Sequence, residues 1–520
     1  MSAGTAAPDL RRSAARTHAS RARALLAEPA VLAVAALTLL AAVLRFYRLG
    51  HQGFWFDEGN TALLVHFSPG KMLGLIPQTE STPPLYYCVA WVWARVFGYG
   101  ETGLRSLSAV CGVALVPVVY AAGAKLISGR AGMIAAAFAA CSPLLIWYSQ
   151  EARSYQMLAL LSGVSLLAFA YAHADPTPRV LVAWMVASAL ALATHYYAVL
   201  AVVPEAVWLL WVHRSRRPVQ IAFAVVGLCG LGLIPLAISQ HGTGLGNWIS
   251  NAPFGRRLGQ IVPQFSSGFD GPAHGVFEPL AIAIVVLALV LLVTRSSGEA
   301  RRGTLVAGGL ALAGLMLSLI LVAVGFDDLL TRNMLAIWTA CALLVAGGLA
   351  VPRSLGVGVV AAVILCVMGV TTALGVAFDR SYERPDWRVV AQALGTYAPA
   401  GGRAILVQHY RDLLPLSLYM AGLKFWRGGA PMRVREFDVV SFTSPPSAGF
   451  CWWGSACNLW PSRAQSSYSI AGFRPASERH VLQFTVIRMV APRPVSVTPA
   501  EVARALTATH LVSDELILQK

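Results

Sequence analysis

Charge is what this chain has least of. Only 12% of its 520 residues are Asp, Glu, Lys or Arg, against 57% hydrophobic residues, and the mean hydropathy is +0.63. That balance excludes a string of soluble domains, which the length alone would suggest. Acids are the scarcer sign, 24 against 40 Lys and Arg, for a net charge of +16. The cations lie in short connections between apolar runs and do not form a basic stripe, which excludes nucleic acid as a partner. Membrane lipids remain, anionic or phosphate-bearing ones included. Apolar and polar residues do not alternate along the runs, which excludes a membrane barrel. No internal repeat is found, and transporters are commonly built from one. No Cys-x-x-Cys pair suggests zinc. Cys88, Cys111, Cys141, Cys229, Cys341 and Cys366 lie in apolar segments as small hydrophobes, while Cys451 and Cys457 flank Trp452-Trp453-Gly454 in a polar region and are candidates for a disulfide.

What the chain has is a succession of apolar runs of roughly 17 to 22 residues, long enough to cross a hydrocarbon core of about 30 Å as helices. The fold class expected is therefore mainly α, a polytopic membrane protein. A basic tail, 1–28, precedes the first run. Residues 31–44 lead into Arg45-Phe46-Tyr47-Arg48 with no cleavage site, so the run reads as a retained span and not as a signal peptide.

The segment 83–97 decides the topology, because counting it as a span reverses every later loop. It is short, aromatic and carries Arg95, which suits a helix lying at the interface. If it does not cross, ten cations fall in inner loops (Lys125, Arg130, Arg179, Arg214, Arg216, Arg217, Arg295, Arg301, Arg302, Arg353). Four fall outside: Arg153, Arg256, Arg257 and Arg332. Ten against four favours the interfacial reading by the positive-inside rule. Eleven spans follow, at about 29–45, 103–124, 131–148, 155–173, 180–195, 197–212, 219–238, 277–294, 303–324, 333–351 and 355–377. The N-terminus is then cytoplasmic, and the loop 46–102 and everything after 378 lie outside.

Residues 379–520 regain Pro, Gly, Ser and charge, enough for a small α/β or α+β domain. Residues 385–394 read as a helix, 404–407 and 484–487 as strands, and Thr498 as the N-cap of a final helix. The segment 239–275, rich in Gly, Ser and Asn, reads as a linker or a cover over the outer face.

That face collects Asp57 and Glu58 between aromatic residues, Glu80, Arg105, the stretch Tyr148-Ser149-Gln150-Glu151-Ala152-Arg153-Ser154-Tyr155, His195, Asp327-Asp328 and Arg332. Ionisable groups at a membrane edge are costly unless paired or hydrated, so each is a functional candidate. Each also has a plain reading: a solvated acid pair at Asp57-Glu58, a snorkelling Arg105, a hydrogen-bonded interface His195, and mutual neutralisation of Glu151 and Arg153. Their concurrence on one face is what a phosphate-bearing lipid substrate and a proton-accepting base require.

The ordered series Asp57-Glu58, Pro83-Pro84-Leu85-Tyr86-Tyr87, Leu104-Arg105 and Ser149-Gln150-Glu151-Ala152-Arg153-Ser154-Tyr155 resembles the GT-C membrane glycosyltransferases. The similarity is to the protein mannosyltransferase-like branch, which includes aminoarabinose and core galacturonosyltransferases. It continues through Arg332 to Tyr382-Glu383-Arg384-Pro385-Asp386-Trp387-Arg388.

The resemblance implies a GT-C transmembrane domain over 29–378 in the cytoplasmic membrane, with 46–102 as an outer catalytic loop and 379–520 as an extracytoplasmic domain. It implies transfer of a sugar, with inversion, from a polyprenyl-phosphate donor to an extracytoplasmic acceptor. Asp57 would be the base and Glu58 would help position the site. Arg105, Arg153, Arg332, Glu80, Tyr155 and His195 would serve the donor and its phosphate. Ser81-Thr82 stand where relatives often carry Lys or His. No cofactor is required if arginines stabilise the leaving phosphate, although clustered acids can also bind a divalent cation through oxygen ligands. A transporter of polyprenyl lipid or sugar and a non-catalytic envelope-assembly scaffold are the alternatives.

Overall fold

The structure, a computed structural model, describes residues 28–269, 271–407, 413–426, 431–442, 470–498, 500–502 and 515–520. Cys451, Cys457 and most of the basic tail lie outside the described residues.

The first helix, α1 (Pro29–Phe46), begins with its proline in the first turn, where the missing N–H costs nothing. Three short helices follow: α2 (Phe56–Leu64), α3 (Pro69–Thr79) and α4 (Leu85–Phe97). The 13 residues of α4 rise only about 20 Å, short of a bilayer core of about 30 Å. Next come α5 (Glu101–Leu126), the bent pair α6 (Gly129–Cys141) and α7 (Pro143–Ser149), α8 (Tyr155–Ala174), α9 (Pro178–Thr194) and α10 (Val199–Val212). The α6–α7 bend is 53° at Pro143, with Ser142 capping α7 by accepting from Leu145 N. The rest of the bundle is α11 (Arg217–His241), α12 (Phe254–Gly259), α13 (Ile261–Ser267), α14 (His274–Arg295), α15 (Gly298–Ala323), the 3₁₀ segment Thr331–Ile337 running into α16 (Trp338–Leu349), and α17 (Leu355–Phe378).

Among the described residues, eight helices are long and apolar enough to span, nine with the bent pair counted as one. Pro178–Thr194 and Tyr196–Val212 are apolar but shorter. Together these account for the eleven expected spans, and the chain is a multi-pass membrane protein. Following it, each crossing reverses direction. The second span starts at Glu101 beside the loop 46–102, and the last ends at Phe378, where the C-terminal module begins.

That module has α18 (Trp387–Leu394), β1 (Arg403–Val407), α19 (Leu413–Tyr419), β2 (Leu423–Phe425), β3 (Met432–Phe442), β4 (Arg474–Val481), β5 (Phe484–Val497) and β6 (Glu515–Gln519). The strands form one sheet in the order β2-β6-β1-β3-β5-β4, parallel between β1 and β3 and antiparallel elsewhere. Every residue of central β1 is buried, because both faces of the sheet are covered. Trp387, Val390, Leu394 and Leu416 of α18 and α19 pack over Ile405, Val407, Phe484 and Ile517. One strand pair of five is parallel and both helices lie on one face, so the module is α+β. Asp386 caps α18, and Thr498 Oγ1 accepts from Glu501 N at 3.2 Å while Glu501 bonds back to Thr498 N at 2.7 Å.

Candidate active site

Two adjacent carboxylates open α2. Trp55 is its extended N-cap, and Asp57 and Glu58 fall in the first turn, where the exposed N–H groups and the helix dipole favour negative charge. Successive residues on a helix point about 100° apart, so the two acids meet different surroundings. They do not form a pair.

Four acids instead face four arginines, one to one. Glu58 grips Arg105 at the start of α5, with Oε1 to Nε at 2.7 Å and Oε2 to Nη2 at 2.6 Å. Glu80, the C-cap of α3, grips Arg153 through both oxygens at 2.9 Å. Glu151 accepts from Arg384 of the C-terminal module at 3.1 Å. Asp57 accepts from Arg332 at 3.3 Å.

The first of these pairs is sealed. Glu58 is 0% exposed, and its Oε1 also accepts from Ala152 N at 2.8 Å. Arg105 gives its remaining N–H groups to the carbonyls of Leu49, Gln52 and Gly53. All five donors of its guanidinium are thereby used on the protein. The expectation is that Arg105 serves the donor phosphate; here its five N–H groups go to Glu58 and to the carbonyls of residues 49–53, which it gathers around the start of α2. Glu58 is its counter-charge.

Arg153 contacts α2 as well, through Asp57 O at 3.3 Å and Thr61 Oγ1 at 3.4 Å, while Asn60 Nδ2 donates to Glu80 Oε1 at 2.6 Å. Glu80 therefore orients Arg153. Glu151 and Arg153 do not neutralise each other. The turn between α7 and α8 sends them to different partners, 233 residues and 73 residues away.

The Asp57–Arg332 pair differs from the rest. It is the longest of the four, made through one oxygen, and its side chains keep 10% and 11% exposure, against 0% and 3% for Glu58 and Arg105. The Arg332 guanidinium lies 5.4 Å from the rings of both Tyr155 and Trp248. His195 is buried, with its ring 5.6 Å from that of Tyr155 and its Nδ1 accepting from Tyr197 N at 3.2 Å. It caps a 3₁₀ turn and backs Tyr155. Arg332, Tyr155, Asp57 and Arg153 thus come together, with His195 behind them.

Glu151, in the turn between α7 and α8, has a strongly perturbed environment. Burial pushes its pKa up from 4.5 to about 7, the Arg384 cation opposes this, and Glu58 and Asp57 add to it. Its Oε1 is buried and accepts no hydrogen bond among the described residues.

A divalent cation does not fit these acids. Among the described residues no group of three or more His, Cys, Asp or Glu is placed to hold a metal, and each acid above already faces a guanidinium.

The segment 239–275 is more than a linker. Gln240 accepts from Tyr196 OH at 2.7 Å and donates to Thr82 O at 3.1 Å, and Arg257 grips Asp327 at 2.6 and 2.7 Å, bringing Trp248 over Arg332. Sequence reasoning assigned no role to Trp248 or Arg384. Only the motif around Arg384 hinted at it, since no local periodicity links a residue beyond the last span to the third inter-helix turn.

Residues 81–239 match the family model of the dolichyl-phosphate-mannose-protein mannosyltransferases. No curated protein is a significant sequence match. Among solved structures, the chain is similar to ArnT from Cupriavidus metallidurans in the apo state (TM-score 0.54, 15% identity, 88% of this chain and 97% of that one). It is similar to the same protein bound to undecaprenyl phosphate (TM-score 0.52, 16% identity, 88% and 97%). The chain therefore has the GT-C glycosyltransferase fold.

Proposed function

We propose that this GT-C chain is an inverting membrane glycosyltransferase that moves a hexosyl or pentosyl group from a polyprenyl-phosphate donor to an acceptor hydroxyl on the outer side of the cytoplasmic membrane. The observation that carries this reading is the Asp57–Arg332 pair: an acid and a cation 3.3 Å apart, the longest of the four contacts and the one in which both side chains keep about a tenth of their exposure. The family match and the undecaprenyl phosphate bound to the similar ArnT support a lipid-linked donor. The excess of cations at the opposite helix ends supports the outward orientation.

In this mechanism the Asp57 carboxylate takes the proton of the acceptor hydroxyl as its oxygen attacks the anomeric carbon. The bond from that carbon to the phosphate oxygen breaks, and polyprenyl phosphate leaves with the electron pair. Arg332, held between Tyr155 and Trp248, faces the charge that develops on the phosphate, and Arg153 stands behind it. Glu58 and Glu80 keep α2 and Arg153 in register.

The test is to incubate purified protein with a panel of polyprenyl-phosphate sugars and follow release of polyprenyl phosphate. One donor should be consumed by the wild type and none by Asp57→Asn. Substantial transfer by a folded Asp57→Asn variant overturns Asp57 as the base, and no consumption by the wild type overturns the glycosyltransferase reading.

A further inference from the structure

The loop that delivers Asp57 is held from outside the membrane bundle. Five of its residues meet the C-terminal module. The side-chain amide of Gln52 donates to Arg384 O. A Cβ on Gly53 would sit 2.3 Å from Asp386 Oδ1 and 2.7 Å from Arg388 Cβ. Phe54 N donates to Tyr419 OH at 2.7 Å. Trp55 lies 5.8 Å from the Arg384 guanidinium. A Cβ on Gly59 would come within 3.0 Å of Pro415 N. Tyr419 donates in turn to Glu101 at 2.7 Å, which also accepts from Arg388 at 3.3 Å.

Arg384 joins this loop to the other wall of the site. Its guanidinium lies 3.9 Å over the ring of Trp147, donates to Trp147 O at 3.0 Å and to Glu151 Oε2 at 3.1 Å, and is almost wholly buried. Trp147 lies in the last turn of the bent α6–α7 pair, and Glu151 lies two residues before Arg153. A single guanidinium thus bridges the N-cap of the helix carrying Asp57 and the turn carrying Arg153.

We propose that Arg384 is a positioning residue for sugar transfer, acting through Glu151: the C-terminal module closes the site by inserting this arginine between Trp55 and Trp147 and locking the Glu151 turn. This rests on the glycosyltransferase reading. Arg384 meets Trp55, Trp147 and Glu151 and acts through them, as a positioning and not a catalytic residue. The planar guanidinium supplies both the stacking surface and the donors, which a lysine ammonium cannot combine.

The charged and titratable groups facing Glu151 are Arg384 from the module, Asp57 and Glu58 from α2, Arg153 from its own turn, Tyr148 from α7, Tyr155 from α8 and Arg332 from the 3₁₀ segment before α16. Of these, Arg384 is the leading group favouring the ionised form. Without it the carboxyl protonates more readily.

The experiment uses the full chain and the donor consumed by the wild type. Arg384→Ala and Glu151→Gln should each lower kcat by about 10²-fold, the scale of a displaced site, with a smaller effect on KM for the donor. The double variant should lose no more than the larger single loss, because both break one contact. The acid limb of the kcat profile should move to higher pH in Arg384→Ala and be absent in Glu151→Gln. Arg384→Lys, which keeps the charge, should retain the wild-type limb with intermediate kcat, and it decides the matter if the alanine variant fails to fold. Multiplicative losses in the double variant, an unshifted limb in Arg384→Ala, a displaced limb in Arg384→Lys, or a wild-type kcat in either Arg384 variant overturns the proposal while leaving the functional reading intact. A wild type that consumes no donor overturns both.

Discussion

Replacing Glu58 with Gln should cost this protein its stability, whereas replacing Asp57 with Asn should cost it only its chemistry. Glu58 is fully buried and satisfies three donors: Arg105 Nε and Ala152 N at Oε1, and Arg105 Nη2 at Oε2. Glutamine keeps the shape and can keep the Oε1 contacts. Its amide nitrogen then points donor to donor at Nη2, and the buried guanidinium loses its counter-charge. Breaking a buried pair in this way costs about 3–5 kcal/mol, a large part of a total stability of about 5–15 kcal/mol. Asp57→Asn keeps an oxygen for Arg332 across a contact that is already 3.3 Å long, so its cost should stay near ~1 kcal/mol. The measurement is the thermal unfolding midpoint of each purified variant in one detergent, followed by a thiol dye that reports exposure of buried cysteines. Glu58→Gln should unfold several degrees earlier than Asp57→Asn. Equal midpoints for wild type and Glu58→Gln, or a greater drop for Asp57→Asn, would refute the division of labour between the two acids.

Further expectations follow from the same geometry. Gly53→Ala should loosen the module, because the new methyl meets Asp386 and the Arg388 backbone nitrogen at 3.0 Å; overpacking of this kind costs about 1–3 kcal/mol and should show as faster proteolysis between α17 and α18. Glu80→Gln should lower activity without removing Asp57, by freeing Arg153 from its two-point grip, and Glu80→Gln added to Arg153→Ala should bring little further loss in a double-mutant cycle. The folded pKa of Glu151 lies above its unfolded value, near 7 against 4.5, so the folded state binds the extra proton between them. Its contribution to stability therefore falls as pH rises through that window, by about 3 kcal/mol in all, and Glu151→Gln should flatten the slope of unfolding midpoint against pH. Activity and stability should then move in opposite directions near neutral pH, since transfer needs the ionised Glu151 that pairs with Arg384.

The spans were legible in the sequence for a simple reason. A helix in lipid must carry an unbroken apolar run, so length and hydropathy nearly suffice, and the shortness of residues 85–97 was enough to set that helix apart. The acid pair Asp57-Glu58 was visible too as a candidate, framed by Phe54, Trp55 and Phe56 just beyond the first span. Which acid meets which arginine was not. Glu151 and Arg153 invite pairing by proximity along the chain, yet Glu80 and Arg384 claim them, because a turn sends neighbouring side chains in different directions. The sequence likewise gave Arg105 and Arg332 equal standing as phosphate ligands. Only the folded chain separated them, by spending every donor of Arg105 on Glu58 and three carbonyls and leaving Arg332 between two aromatic rings beside Asp57. Hydropathy is a property of each segment and can be summed along the chain. The pairing of buried charges depends on distances between segments up to 275 residues apart, and tertiary structure alone decides it.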